Sequence, residues 1–317
     1  MKLAAILVLL VVLATVPLWL ANPYLLHVFI ITGIFIIAAM SLNLLLGYAG
    51  QLSLGHVAFF GVGAYASALV SLGFSVHVAP DTILKVEANP AWLAMLAGIV
   101  AAGLCGWFIG RIAFKVRGAY FVIVSISFAE VARLVATNWV ELTQGPMALN
   151  NIPPLFNFYK KPENYWLVLA VALMAFVLIQ RLVNSKAGRA MIALAENEAL
   201  ATSVGIDVTR YLVLATVVSA AMAGAAGALY AHYVRIVDPD VFLFIYTVTM
   251  VIMVLTGGKG TLAGPVVGGL IFGLLPEGLR AAAIKPEAQW IVYGVLMVLV
   301  VYFLPQGIVP ALRRQPK

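Results

Sequence analysis

Apolar runs of near-spanning length follow one another through most of this chain. They lie at approximately 3–20, 25–46, 52–74, 92–114, 119–139, 165–183, 211–234, 242–256, 262–280 and 288–304. A helix of about 20 apolar residues crosses a bilayer core. The expected fold is therefore an all-α, polytopic membrane helix bundle of about ten transmembrane segments. Composition agrees: 64% of residues are hydrophobic and 10% are charged, against roughly 25% charged in soluble domains. The net charge of +7 comes from basic residues dispersed between the runs, a pattern of membrane topology rather than of nucleic-acid binding. The one cysteine, Cys105, lies in an apolar run, so no disulfide framework is expected and it reads as a packing residue. The first run lacks a small-x-small cleavage site before Asn22-Pro23 and reads as a retained span.

Two glycine-rich stretches interrupt this apolar sequence. One is Gly47-Tyr48-Ala49-Gly50-Gln51-Leu52-Ser53-Leu54-Gly55-His56. The other is Thr256-Gly257-Gly258-Lys259-Gly260-Thr261-Leu262-Ala263-Gly264-Pro265. Irregular backbone at membrane depth is tolerated only where protein or a watery cavity satisfies it. Paired breaks in two parts of a membrane chain point to a translocation path. The third, eighth and ninth segments are accordingly expected to be glycine-broken half-helices, and the chain a transporter subunit rather than an anchored enzyme.

Charge sets the orientation. With both termini cytoplasmic, the inner side carries Lys2, Arg111, Lys115, Arg117, Arg181, Lys186, Arg189, Arg210, Lys259, Arg313, Arg314 and Lys317, against Glu196, Glu198 and Asp207. The outer side carries Lys85, Lys160, Lys161, Arg235, Arg280 and Lys285, a two-to-one inner bias of the kind that orients membrane proteins. The longest stretches between runs, 75–91, 140–164 and 184–210, hold neither an ATP site nor a folded receptor. Residues 1–317 are expected to form one permease domain, with 184–210 as a cytoplasmic loop. Energy and any high-affinity receptor must come from other chains or from an ion gradient.

Within that loop, residues 185–206 read as a helix closed by Gly205. Ala190, Leu194, Ala201 and Val204 are expected on one side, and Glu196, Asn197 and Glu198 toward water or a partner. The loop has no bulky apolar stripe or basic face to anchor it on lipid, which favours docking on another protein. Glu130 and Arg133, three apart within a span, are either a mutually neutralising pair that staples neighbouring helices or a contact for a passing zwitterion. His56 reads as a backbone partner rather than a proton relay. Gln51, Ser53 and Thr261 are candidates to line the path or to satisfy the broken backbone, and Lys259 is placed at the inner mouth. The small-residue run Ser219–Ala228 permits close helix packing, with a sister permease as a candidate neighbour. No metal cluster, cofactor site or nucleophile–base pair is apparent. Gly257-Gly258-Lys259-Gly260-Thr261 lacks the spacing of a phosphate loop.

The loop resembles the coupling loop of ABC importer permeases, whose Glu-Ala-Ala-x-x-x-Gly type motif is matched by Ala201 and Gly205, with Glu198 one residue early. Gly188-Arg189-Ala190 and Glu196-Asn197-Glu198 sharpen the likeness to branched-chain amino acid permeases of the LivM type. The stretches Gly47–His56 with Phe59 and Gly63-Ala64-Tyr65, Arg117–Phe121 with Phe128-Ala129-Glu130, Ser219–Tyr230 and Gly257–Pro265 are similar to the same family. Thr143-Gln144-Gly145-Pro146 departs from its Thr-Gly-Gly-like turn.

The resemblance implies a bacterial inner-membrane subunit paired with a second permease. Two cytoplasmic ATPases would act through Gly188, Arg189, Glu196, Asn197, Glu198, Ala201 and Gly205. A periplasmic or tethered binding protein would deliver leucine, isoleucine or valine. Gln51, Ser53, His56, Phe121, Glu130, Arg133 and Thr261 would be pathway candidates, and the chain itself would not be an enzyme. A urea, amide or other amino-acid permease, or a self-contained ion-coupled carrier, remains an alternative.

Overall fold

The computed structural model describes residues 13–19, 22–79, 82–114, 120–156, 161–281, 285–304 and 306–313. Residues 3–12 and 20 of the first run, Arg117-Gly118-Ala119 of the motifs, and the charged Lys2, Asp81, Lys115, Lys160, Arg314 and Lys317 lie outside these. Among the described residues, the following helices carry the architecture. They are α1 Pro23–Asn43, α2 Val57–Leu72, α3 Ala91–Ala113, α4 Tyr120–Asn138, α5 Lys161–Val183, α6 Lys186–Glu196, α7 Glu198–Ser203, α8 Val208–Val234, α9 Phe244–Gly257, α10 Gly264–Ala281, α11 Pro286–Phe303 and α12 Ile308–Arg313.

Five helical stretches are long and apolar enough to cross a membrane: Pro23–Tyr48, Ala91–Ala113, Tyr120–Asn138, Lys161–Val183 and Val208–Val234. Val57–Leu72 and Phe244–Gly257 are shorter apolar helices that abut the glycine stretches. The chain is a helical, multi-pass membrane protein. Beside the helices expected of an all-α fold stands one short antiparallel hairpin of β1 Phe74–Ala79 and β2 Thr82–Val86, in which Phe74 pairs with Val86 and Val76 with Leu84.

Local chemistry starts the two central helices. Asn22 accepts the Tyr24 amide at 2.9 Å and Pro23 opens α1, a cap with a proline at the first helical position. Asp207 accepts the Arg210 amide at 3.0 Å to begin α8, and Arg235 ends it in a left-handed conformation. Both helices are buried on most sides: α8 packs on α2 and α3, and α1 packs on α5, α8, α9 and α10. The small residues of α8 make this possible, since a Cβ on Gly63 would lie 2.4 Å from the Gly224 Cα. The Ser219–Ala228 run thus packs on this chain's own α1, α2 and α3. Helix α3 turns Leu96, Val100, Leu104 and Phe108 outward, an apolar stripe suited to lipid.

Interlocked loops close one end of the bundle. Leu149 and Val237 exchange backbone hydrogen bonds at 2.9 and 3.0 Å, and Arg235 Nε donates to the Ile152 carbonyl at 3.1 Å. The departing turn near residue 144 belongs to this region. Gln144 adopts φ 58° there, the left-handed region in which a side chain costs about 1–2 kcal/mol. Gln144→Gly is therefore expected to raise the apparent melting temperature of the solubilised protein by a few degrees, measured by thermal unfolding in detergent.

Candidate translocation and coupling site

The first glycine stretch begins where α1 widens into a π-turn at Leu44–Tyr48. Gln51 N–H returns to the Leu45 carbonyl at 2.8 Å, and residues 51–56 cross without regular structure to α2. The exposed amides at the start of α2 find side-chain partners. Gly55 N–H donates to Ser125 Oγ at 3.2 Å and Val57 N–H to Thr247 Oγ1 at 3.1 Å. Both hydroxyls are buried, so α4 and α9 satisfy a helix terminus that water does not reach.

The second stretch is closed by its own threonine. Thr261 Oγ1 donates to the Gly258 carbonyl at 2.7 Å and accepts Gly264 N–H at 3.0 Å, bridging α9 to α10. Gly258 and Gly260 both hold positive φ.

The two stretches meet. Asn43, 1% exposed at the end of α1, accepts Gly260 N–H on Oδ1 at 2.9 Å and donates from Nδ2 to the Thr261 carbonyl at 2.9 Å. Its carboxamide thus pairs with a stretch of backbone as a neighbouring strand would. The contact requires glycine on both sides, because a Cβ on Gly47 would lie 2.3 Å from the Gly260 nitrogen. Asn43 was not among the sequence candidates. Its only signal is a lone amide where an apolar run turns glycine-rich.

The 184–210 loop rests on this junction. Ser185 caps α6 by accepting Gly188 N–H at 3.2 Å, and Arg189 Nη1 donates to the Asn184 carbonyl at 3.0 Å. The single helix expected over 185–206 is in fact two. Asn197 breaks it with φ −156° and caps α7 by accepting Leu200 N–H at 3.0 Å. Gly205 closes α7 with φ 86°, and Ile206 N–H reaches the Ala201 carbonyl at 3.1 Å. Ala190, Leu194 and Ala201 are buried as expected, whereas Val204 is 72% exposed, beside Leu200 at 64%. The break redirects that turn so that both project from the protein. Glu196 and Asn197 are exposed and Glu198 is half-buried. On the inner side of α6, Met191 and Leu194 pack with Leu45 of the π-turn and Ala49 of the first stretch, and a Cβ on Gly50 would lie 2.9 Å from that of Ala195.

Residues 24–301 match the family model described as the permease component of branched-chain amino acid transport systems. The chain belongs to this family. High-affinity branched-chain amino acid transport system permease protein LivM of Salmonella typhimurium is 30% identical, over 90% of this chain and 70% of the relative. LivH of Escherichia coli is 29% identical over 85% of this chain and 89% of its own. BraD of Pseudomonas aeruginosa is 24% identical over 85% and 89%. No solved structure matches.

The remaining candidates of this permease fall into different roles. His56 is fully buried, and its Nε2 lies 2.8 Å from Ser41 Oγ. Ser41 Oγ also lies within hydrogen-bond reach of the Ala38 carbonyl, at 2.7 Å. The partner of His56 is a side chain, not the backbone as expected. Ser53 Oγ and His56 Nδ1 are buried without a hydrogen-bond partner among the described residues. Gln51 and Thr261 are half-buried, and Lys259 is exposed at the tip of the second stretch. Phe121 is 2% exposed and stacked on Phe114, with ring centroids 4.8 Å apart, within the cluster beneath α6.

Glu130 and Arg133 form an ion pair at 2.7 Å within α4, about 15 Å along the helix from its start. Their side chains are 53% and 32% exposed respectively, on the face turned away from the bundle. The pair neutralises itself, and among the described residues its hydrogen bonds stay within α4. Charges at this depth face a partner or a watery cavity, not lipid.

Two predictions follow from this geometry. Asn43→Leu strands the Gly260 N–H and the Thr261 carbonyl, at about 1–3 kcal/mol each. Uptake assays should show transport abolished while immunoblots show the chain still in the membrane. For the ion pair, Glu130→Gln leaves an uncompensated cation and Arg133→Met an uncompensated anion. Each single variant should therefore lose more uptake than the double variant; equal loss in all three would mean that the charges touch solute.

Proposed function

We propose that this chain is the membrane-spanning permease subunit of an ABC importer that moves leucine, isoleucine or valine into the cytoplasm. It crosses the bacterial inner membrane about ten times as one permease domain, 1–317, with both termini cytoplasmic. It pairs with a second permease, receives solute from a periplasmic or tethered binding protein, and hydrolyses no ATP itself. Two cytoplasmic ATPases supply the energy through the 184–210 loop.

The observation that carries this reading is the seating of that loop. Its outer crest presents Leu200 and Val204 to a partner, while its inner face bears on the first glycine stretch through Met191, Leu194 and Ala195. That stretch holds the second through Asn43. A push on the crest therefore reaches both breaks through packed atoms, with no flexible linker between them. The outward Glu130–Arg133 pair supports a path on the α4 face, shared with the second permease.

Gly205→Val tests the reading. A Cβ at this position meets nothing within 4 Å, so the substitution acts through the positive φ of 86° alone. It should unwind the end of α7 and abolish ATP-driven leucine uptake, with normal amounts of the chain in the membrane. Uptake that needs no ATPase and follows a sodium or proton gradient would replace the importer with an ion-coupled carrier.

A further inference from the structure

A groove of about 600 Å³ runs down one side of the bundle between α1, α9 and α10, with Gly294 of α11 also in its lining. Along α1 it is lined from Tyr24 to Phe35, about 16 Å at 1.5 Å per residue. That is the depth of one leaflet of a hydrocarbon core about 30 Å thick. Val28, Ile31, Phe35, Val248, Ile252 and Phe272 make its walls apolar. It is open to the side, where Tyr24 and Ile245 are 45% and 37% exposed.

Its charged groups gather at one end, whereas Thr32, Tyr246 and Thr249 add hydroxyls along its length. Tyr24 Oη donates to Glu277 Oε2 at 2.5 Å, and Arg280 Nη1 donates to Glu277 Oε1 at 3.1 Å and also to Tyr24 Oη. The Glu277 carboxylate is thus engaged on both oxygens. The Nε–Nη2 edge of Arg280 has no partner among the described residues, and its side chain is 63% exposed. Lys161 stands nearby, with Nζ 3.0 Å from the Pro23 carbonyl. Arg280, Lys161 and Glu277 leave this mouth with one net positive charge.

We infer that the groove is a binding site for one membrane phospholipid, with an acyl chain along the α1–α9–α10 walls and the phosphodiester on the free edge of Arg280. A phosphodiester carries a single negative charge, matching the mouth, and guanidinium edges hold such oxyanions in bidentate fashion. A free amino acid suits the groove less well. Its side chain would cover only a fraction of the apolar length, and the carboxylate that would take its ammonium group is already engaged. The bound lipid would fill the seam between α1 and α10, both of which run to the Asn43 junction.

The test counts phospholipids held by the transporter after extraction from its native membrane in mild detergent, by native mass spectrometry. The wild-type chain should keep one phospholipid that survives washing. Val248→Trp, which blocks the groove, and Arg280→Gln, an exposed position where folding is not at stake, should each lower its retention by about tenfold, the scale of one charge-assisted contact. Saturating leucine should leave the lipid in place. Equal retention in the wild type and both variants would overturn the assignment. Displacement of the lipid by leucine would overturn it as well, in favour of an amino-acid site.

Discussion

A buried carboxamide holds two irregular segments of backbone together inside this helical bundle, and the remaining features are arranged around it. Asn43 uses both ends of its amide on the Gly260 and Thr261 backbone. In a low-dielectric interior such groups are costly to leave unpaired. The junction also depends on Gly47, since no larger residue permits the approach to Gly260. Ser125 and Thr247 complete the arrangement by satisfying the first amides of α2. Broken backbone is thereby made tolerable at membrane depth, where regular helix would otherwise be required.

This arrangement joins parts that are distant in sequence. The cluster of Leu45, Ala49, Phe121, Met191 and Leu194 lies between the first break and the 184–210 loop. Phe121 belongs to α4, the helix that presents Glu130 and Arg133 outward. The loop and the two breaks therefore share one set of packed contacts, which abuts α4 at its first turns and leaves its far end outside. Close-packed interiors transmit displacement rather than absorb it. In the proposed importer, that property would convert ATPase closure into movement at the path.

Much of this was legible in the chain itself. The glycine stretches stood out because they interrupt long apolar patterns, and the helix bounds followed those patterns to within a few residues. Gly205 was recognisable as a helix end because its type and place match a left-handed cap. That the two breaks touch was not legible, since periodicity describes one segment at a time. Asn43 was not a candidate for the same reason. The break at Asn197 had its signal, a capping residue before Glu198-Ala199-Leu200, but the alanine-rich surroundings favoured a continuous helix and so misplaced Val204. The hairpin at Phe74–Val86 was hidden by its brevity. The spacing of Glu130 and Arg133 made their pairing legible, whereas the direction they face depends on which side of α4 the bundle covers.

The central claim is that the cytoplasmic loop and both glycine stretches move as one body. Spin labels at Ala199 and Lys259, both exposed, would measure it by pulsed electron resonance in the assembled transporter, with Cys105 replaced by serine. A third label at the exposed Trp139, at the far end of α4, supplies the reference. The account predicts that the 199–259 distance stays the same with and without a bound ATP analogue, while the distance from Ala199 to Trp139 changes. A 199–259 distance that shifts with nucleotide would contradict it, because the loop would then be moving independently of the junction.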